Sequence, residues 1–151
     1  MNEATLILVC KKPAPGIGKQ RLAASLGIEM TQKVAEALLA CALEDACNWP
    51  GPVVIAPASA ADVDWARNLS APIPSSLMII PQVAGNLGQR LNTLDQILRA
   101  QGIEQLVFIG SDSPGLDAAD YAATRAALQH ADIVLIPALD GGVVLMANRY
   151  A

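Results

Sequence analysis

Short apolar runs alternate along the chain with longer stretches of helical periodicity. The runs near 5–10, 52–57, 77–81, 105–110, 132–137 and 143–147 are rich in Val, Ile and Leu and predict strands. Helices are predicted near 19–26, 29–47, 59–69, 87–101 and 117–130. The helix over 29–47 has the clearest pattern. Val34, Leu38, Cys41, Ala42 and Asp45 follow helical spacing, and Leu39, Leu43 and Ala46 widen the apolar face. Gly27 and Gly102 suit helix C-terminal stops, and Asp117 suits an N-cap. The strand runs show little polar alternation, which predicts a sheet covered on both faces. Strands alternating with helices then imply an α/β three-layer sandwich with a mainly parallel sheet. No internal repeat or linker interrupts 1–151, which reads as a single domain.

In such a sheet, ligands sit beyond the carboxyl ends of the strands. Four segments there carry unusual residues. The first, "KKPAPGIGKQRL" at 11–22, concentrates four basic side chains, Lys11, Lys12, Lys19 and Arg21, with two prolines and two glycines. It is not an ATPase P-loop: Pro13 stands where that motif needs Gly, and Gln20 follows Gly18-Lys19 where it needs Ser or Thr. It is not a dinucleotide fingerprint, because Arg21 occupies the third glycine's place. The second is "VAGNLGQR" at 83–90, the third "GSDSPGL" at 110–116, and the fourth "ALDGG" at 138–142.

Each segment also has a plain reading. The basic loop could be a solvated connection. Gly85 and Gly88 could be turn residues, with Asn86 capping a helix that carries Arg90. Asp112 could cap its own turn. Asp140-Gly141 between two apolar runs is a strong hairpin signal. His130, the lone histidine, ends a predicted helix and reads as a cap near the negative end of its dipole. Taken together, the segments suit another purpose. A carboxylate at the end of a buried strand can hold a divalent metal, and the metal can bridge a diphosphate. Basic side chains from the first loop would neutralise the remaining charge, and Asp140 could complete the metal site or face an acceptor.

Composition narrows the classes. The net charge of −4 argues against a general nucleic-acid binder. No apolar run is long enough to span a bilayer, and no basic segment precedes an apolar one at the N-terminus. Cys10, Cys41 and Cys47 lack metal-site spacing and read as reduced, core-packed thiols of a cytoplasmic protein.

The ordered segments "LILVCKKPAPGIGKQRLA", "GNLGQRL", "IGSDSPGL" and "DIVLIPALDGGVVLMA" resemble the bacterial glycosyltransferase-A-type, nucleotide-diphospho-sugar transferase-like family. Some of its members are labelled arsenosugar-biosynthesis glycosyltransferases. The resemblance runs from about 5 to 147. It implies a fold that binds a nucleotide sugar. Lys12, Pro13, Gly16, Lys19 and Arg21 fall on the family's phosphate loop. Gly85, Leu87, Gly88 and Arg90 match its "GDLG-R" segment. Asp112 matches its metal-binding aspartate, for Mg²⁺ or Mn²⁺, and Asp140, Gly141 and Gly142 match "DGG". Gln20, Asn86 and Val143 stand where the family usually has Thr, Asp and Tyr. The resemblance implies sugar transfer from a nucleoside diphosphate sugar to an unidentified acceptor. Nucleotidyl transfer releasing pyrophosphate is the alternative, and a degenerate nucleotide-binding or interaction module is the third reading. Ala151 falls where family members continue, so apolar surface is expected to lie open and a homodimer is expected.

Overall fold

The computed structural model describes residues 3–12, 27–69, 77–111, 116–138 and 142–149. The expected helix over 19–26 lies outside them. The strands are β1 (Thr5–Cys10), β2 (Val53–Pro57), β3 (Leu77–Ile79), β4 (Gln105–Gly110), β5 (Ile133–Pro137) and β6 (Val143–Arg149). They form one sheet in the order β3-β2-β1-β4-β6-β5. β3, β2, β1 and β4 run parallel, and β6 runs antiparallel to both of its neighbours. The helices are α1 (Ile28–Asn48), α2 (Val63–Leu69), α3 (Leu87–Ala100) and α4 (Ala118–Ala127).

β1 lies inside the sheet, with Leu6, Ile7 and Leu8 fully buried. Its side chains divide the core. Leu6 and Leu8 join the cluster containing Leu39, Ala42 and Ala46 of α1, Ala66 of α2 and Tyr121 of α4. Ile7 faces the other way, onto Leu94 and Leu98 of α3. Alternate residues of a strand serve opposite faces, so the unbroken apolar run Leu6–Cys10 requires cover on both.

The helix ends follow local chemistry. α3 starts with a reciprocal capping box: Asn86 Oδ1 accepts from Gln89 N–H at 2.9 Å, and Gln89 Oε1 accepts from Asn86 N–H at 2.9 Å. α4 repeats the device with Asp117 and Asp120. Gly102, at φ 87°, follows α3 as expected, and Ile103 N–H donates back to the Leu98 carbonyl at 3.2 Å. Gly27, at φ 84°, directly precedes α1.

Three expectations change. The buried face of α1 centres on Leu39, Ala42 and Ala46, whereas Leu38 is only half-buried. Cys41 is exposed, so it is not core-packed; Cys10 is buried and Cys47 intermediate. Asp45 lies on the α4 side of the helix, where its carboxylate accepts a 2.8 Å hydrogen bond from the Tyr121 hydroxyl. Burial raises the Asp45 carboxyl above its usual range. Burial, the hydrogen bond and the charge of Asp45 together push the Tyr121 hydroxyl up as well, so the proton stays on tyrosine.

The third change concerns β5, which is not covered on both faces. Val134 and Ile136 pack on the core. Ile133 and Leu135 are 66% and 53% exposed. Among the described helices only α3 contributes to the cluster on their face, and its buried residues there lie against β1, β2 and β4. Polar contacts tie α3 to β6: Arg99 Nε donates to Asp95 Oδ1 at 3.1 Å, and Asn148 Nδ2 donates to Asp95 Oδ2 at 2.9 Å. The Arg99 guanidinium also donates to Asn148 Oδ1. Every buried side-chain nitrogen and oxygen among the described residues has a partner.

Because α3 is this face's described helical cover, truncating it is expected to be costly. Leu98→Ala should lower unfolding free energy by about 2–5 kcal/mol in urea titration. Leu87→Ala, on the same helix but at a side chain 63% exposed, should change it by less than about 0.5 kcal/mol.

Candidate functional site

The strand directions bring the candidate segments to one edge of the sheet. β1, β3 and β4 are all parallel to β2 or to each other, so their carboxyl ends share that edge. β6 runs back between β4 and β5, and this returns the β5–β6 connection to the same edge. The registers fix it: Cys10 pairs with Pro57, Val9 with Gly110, Ile109 with Leu145, and Pro137 with Val143. Lys12, Gly85, Ser111, Ala138 and Gly142 therefore all follow or precede strand ends on one edge.

Six of the expected site residues, Pro13, Gly16, Lys19, Arg21, Asp112 and Asp140, lie outside the described residues. Lys11 and Lys12, which lead into the first loop, are exposed. β5 and β6 pair antiparallel, and Ala138 N–H donates to the Gly142 carbonyl at 2.8 Å; the Asp140-Gly141 turn reading itself lies outside the described residues.

The segment over 83–90 is locked by its own side chains. Gly85 takes φ 129°, and a Cβ there would lie 2.4 Å from Gln89 Oε1. The same Gln89 oxygen closes the α3 capping box. Arg90, half-buried, donates from Nε to the Gly85 carbonyl at 2.9 Å. Arg90 thus braces the turn in addition to any role toward a ligand. Gly88 is different: a Cβ there would meet only Asn86 Oδ1, at 3.4 Å. Nothing described inside the protein requires glycine at that position.

Two residues of this edge were not singled out from the sequence. Gln82 continues the β2–β3 ladder past Ile79, with its N–H donating to the Pro57 carbonyl at 2.9 Å. Its side-chain amide donates to the Ala56 carbonyl at 2.8 Å, joining the exits of β2 and β3. The only sequence signal was a polar residue directly after an apolar strand. Asp62 ends the short 3-10 turn Ala60–Asp62 after β2 and is half-buried. In the sequence it stands early in the segment predicted as a helix over 59–69. Burial, and then the charge of Asp62, push the Cys10 thiol up to about 12. Cys10 is thus a protonated, packed side chain beneath the edge rather than a nucleophile. Among the described residues no group of three His, Cys, Asp or Glu side chains could hold a metal ion. No described helix is long and apolar enough to cross a membrane.

Comparisons with known proteins agree with this architecture. The family model described as "Uncharacterized protein conserved in bacteria (DUF2064)" matches residues 24–151. A crystal structure from Desulfovibrio desulfuricans, of a protein named a "putative nucleotide-diphospho-sugar transferase", superposes with a TM-score of 0.84 at 26% identity. The match covers 99% of this chain and 64% of that one, so the chain spans less than two thirds of that relative's length. The 4-diphosphocytidyl-2C-methyl-D-erythritol synthase of Anaerococcus prevotii superposes with a TM-score of 0.61 at 12% identity. That match covers 98% of this chain and 71% of the synthase, and the likeness is one of fold. No curated protein matches.

Two expectations follow from the local geometry. Gly85→Ala should destabilise by about 1–3 kcal/mol, through the positive φ and the clash with Gln89, and Gly85→Ala with Gln89→Ala should recover only the clash. Gly88→Ala should stabilise by up to about 1 kcal/mol, read by thermal unfolding. Cys10 sets a pH dependence. The unfolded thiol ionises from its ordinary 9.0, while the folded one holds its proton to about 12. The stability it contributes is complete below pH 9.0 and is lost as pH rises towards about 12. Cys10→Val should flatten that part of an alkaline stability curve.

Proposed function

We propose that this chain, which belongs to the DUF2064 family, binds a nucleoside diphosphate sugar at the carboxyl edge of its sheet and transfers the sugar to an acceptor. The observation that carries the reading is that the strand ends from which the four loops leave share one edge, set by parallel β1, β3 and β4 and the reversed β6. The likeness at 26% identity to a protein named for nucleotide-diphospho-sugar transfer supports the same substrate class.

The roles follow from charge and position. A diphosphate carries negative charge that must be met before a sugar can leave with it. Lys12, Lys19 and Arg21 supply cations from the loop that Gly16 and Pro13 shape. Gly85 and Gly88 let the backbone at the α3 N-terminus come close, and the N–H groups of its first turn favour an anion. Arg90 holds that turn in place through the Gly85 carbonyl. Asp112 and Asp140 follow β4 and β5, strands that flank β6. Carboxylate oxygens suit hard divalent ions such as Mg²⁺ or Mn²⁺. Asp112 is assigned to hold the ion, which supplies Lewis-acid neutralisation of the diphosphate when bound. Asp140 is assigned to the metal or to the acceptor. Transfer of this kind needs positioning and charge neutralisation more than covalent catalysis.

A second reading, nucleotidyl transfer, is favoured by the fold likeness to the diphosphocytidyl-methylerythritol synthase. The product separates the two: a nucleoside diphosphate in the first case and pyrophosphate in the second.

Binding is tested by thermal shift against a panel of nucleotide sugars with and without Mn²⁺. A ligand at roughly a hundred times its dissociation constant adds about 2.7 kcal/mol, which for a domain of this size raises Tm by roughly 5–10 °C. The rise is expected to need both sugar nucleotide and metal. Asp112→Asn should abolish its metal-dependent part, and Lys19→Ala should weaken the nucleotide response. Asp140→Asn should change the ligand-induced rise, whereas a hairpin residue alone would change only the baseline Tm. If no nucleotide sugar shifts the wild type, or Asp112→Asn keeps the full shift, this reading fails and a non-catalytic module takes its place.

A further inference from the structure

We propose, on the basis of the nucleotide-sugar reading above, that Asn148 of β6 is a positioning residue. With Asp95 and Arg99 of α3 it closes a polar ring that fixes three of the candidate site's segments relative to one another. Asn148 Nδ2 donates to Asp95 Oδ2 at 2.9 Å. Arg99 Nε donates to Asp95 Oδ1 at 3.1 Å, and the Arg99 guanidinium donates to Asn148 Oδ1. Both ends of the amide and both oxygens of the carboxylate are thus engaged. A carboxylate only accepts and a guanidinium only donates, so the amide nitrogen must face Asp95 and its oxygen Arg99. Arg99 also donates from Nη1 to the Glu104 carbonyl at 2.7 Å, directly ahead of β4. The Arg99 and Asp95 side chains are only 18% and 19% exposed.

Stability alone does not call for this arrangement. Asn148 pairs with Leu106 of β4, and Leu106 belongs to the cluster beneath α3. Residues directly opposite each other share a face, so Asn148 faces α3 as well. Two residues earlier on that face, the apolar Met146 packs on the same cluster. An apolar side chain at 148 would continue that surface without needing a partner, whereas a half-buried amide costs free energy unless its ends are bonded. What the ring adds is direction. α3 otherwise meets the sheet through Leu91, Leu94 and Leu98, one stripe of apolar contacts, and such contacts are non-directional. The ring admits one axial and rotational setting of the helix. Fixing register is the best-attested use of buried polar groups.

The elements held by the ring all lead to the site edge. From Asp95 back to Asn86 the helix spans about 13 Å. Over that length a tilt of about 10° at the ring would move the first turn of α3, with Arg90 and its Gly85 partner, by about 2 Å. β4 runs from Gln105 to Gly110, where the segment over 110–116 begins, and β6 runs from Val143, where the segment over 138–142 ends. The segments over 83–90, 110–116 and 138–142 therefore leave from three elements that are bonded to one another at Arg99 and Asn148. A misplacement of about 1 Å can cost a site on the order of a hundredfold.

Calorimetric titration of the full chain with inorganic pyrophosphate in Mn²⁺ tests this, with Tm and amide NMR spectra recorded beside it. Asn148→Leu keeps a branched side chain and opens the ring. Asn148→Asp sets a carboxylate against Asp95. Each should weaken pyrophosphate binding about tenfold and shift the amide resonances of Gly85 and Gly88 at the far end of α3. Asp95→Asn combined with Asn148→Asp exchanges donor and acceptor, closes the ring again and should return affinity to within about twofold of wild type. Tyr121→Phe, which removes the hydrogen bond to Asp45 on the other face, should change Tm but neither the affinity nor those resonances. Should Asn148→Leu fail to fold, the exchange pair decides. Variants that bind pyrophosphate as the wild type does overturn the positioning role, as does an exchange that fails to restore binding; both outcomes leave the nucleotide-sugar reading standing. A wild type that does not bind pyrophosphate also overturns it, whereas that reading is decided by the nucleotide-sugar panel.

Discussion

The fold depends on the placement of β1 between two parallel neighbours. β1 is paired along both edges and packed on both faces, so nearly every group it carries is committed. Parallel neighbours cannot be joined by tight turns, so each crossover needs a helix. α1 and α2 serve one face, and α3 crosses the other to connect β3 to β4. Once those crossovers exist, the strands' carboxyl ends have to lie together. The strand ends from which the candidate loops leave share one edge because of that constraint, before any side chain is considered.

The two faces are served unequally. Side chains of α1, α2 and α4 enter one cluster, while the other is closed from the helical layer by α3 at Leu94 and Leu98. This gives α3 several duties. Its first turn, fixed by the Asn86–Gln89 box and the Arg90–Gly85 bond, forms part of the candidate site. Its last turns, through Asp95 and Arg99, hold Asn148 on β6. One helix thus links the site edge to the reversed strand that returns the fourth loop.

Much of this was legible in the sequence. The six strands stand where their aliphatic runs lie, because buried parallel strands leave a signal independent of partners. The caps at Asn86 and Asp117 were legible because capping is a local matter of a side chain and amides three residues away. The failures concern what local pattern cannot carry. Cys41 and Leu38 fit a helical stripe, but the orientation of α1 is set by Ala42 and Ala46 against the sheet, which turns Cys41 outward. Ile133 and Leu135 read as buried because apolarity does not disclose position in the sheet, and an edge strand was mistaken for a covered one. Gln82 and Asp62 were missed since their importance comes from contacts across strands, with Ala56 and with Cys10. At the site, the sequence offered residues and order; topology supplied the common edge.

The reversal of β6 bears on how the site comes into being. β5 and β6 are neighbours in sequence, so their pairing closes a short loop at small entropic cost and can form quickly. The β1–β4 ladder, in contrast, joins Leu6 to Val107 across most of the chain. Closing so long a loop costs more conformational entropy than closing the β5–β6 turn. The first and third candidate loops therefore acquire their common edge only when β4 docks on β1, and the fourth joins them when the preformed hairpin is added to β4. A structure lacking the β1–β4 ladder or the β4–β6 pairing leaves the four segments without a common edge, so the candidate site requires the whole native topology.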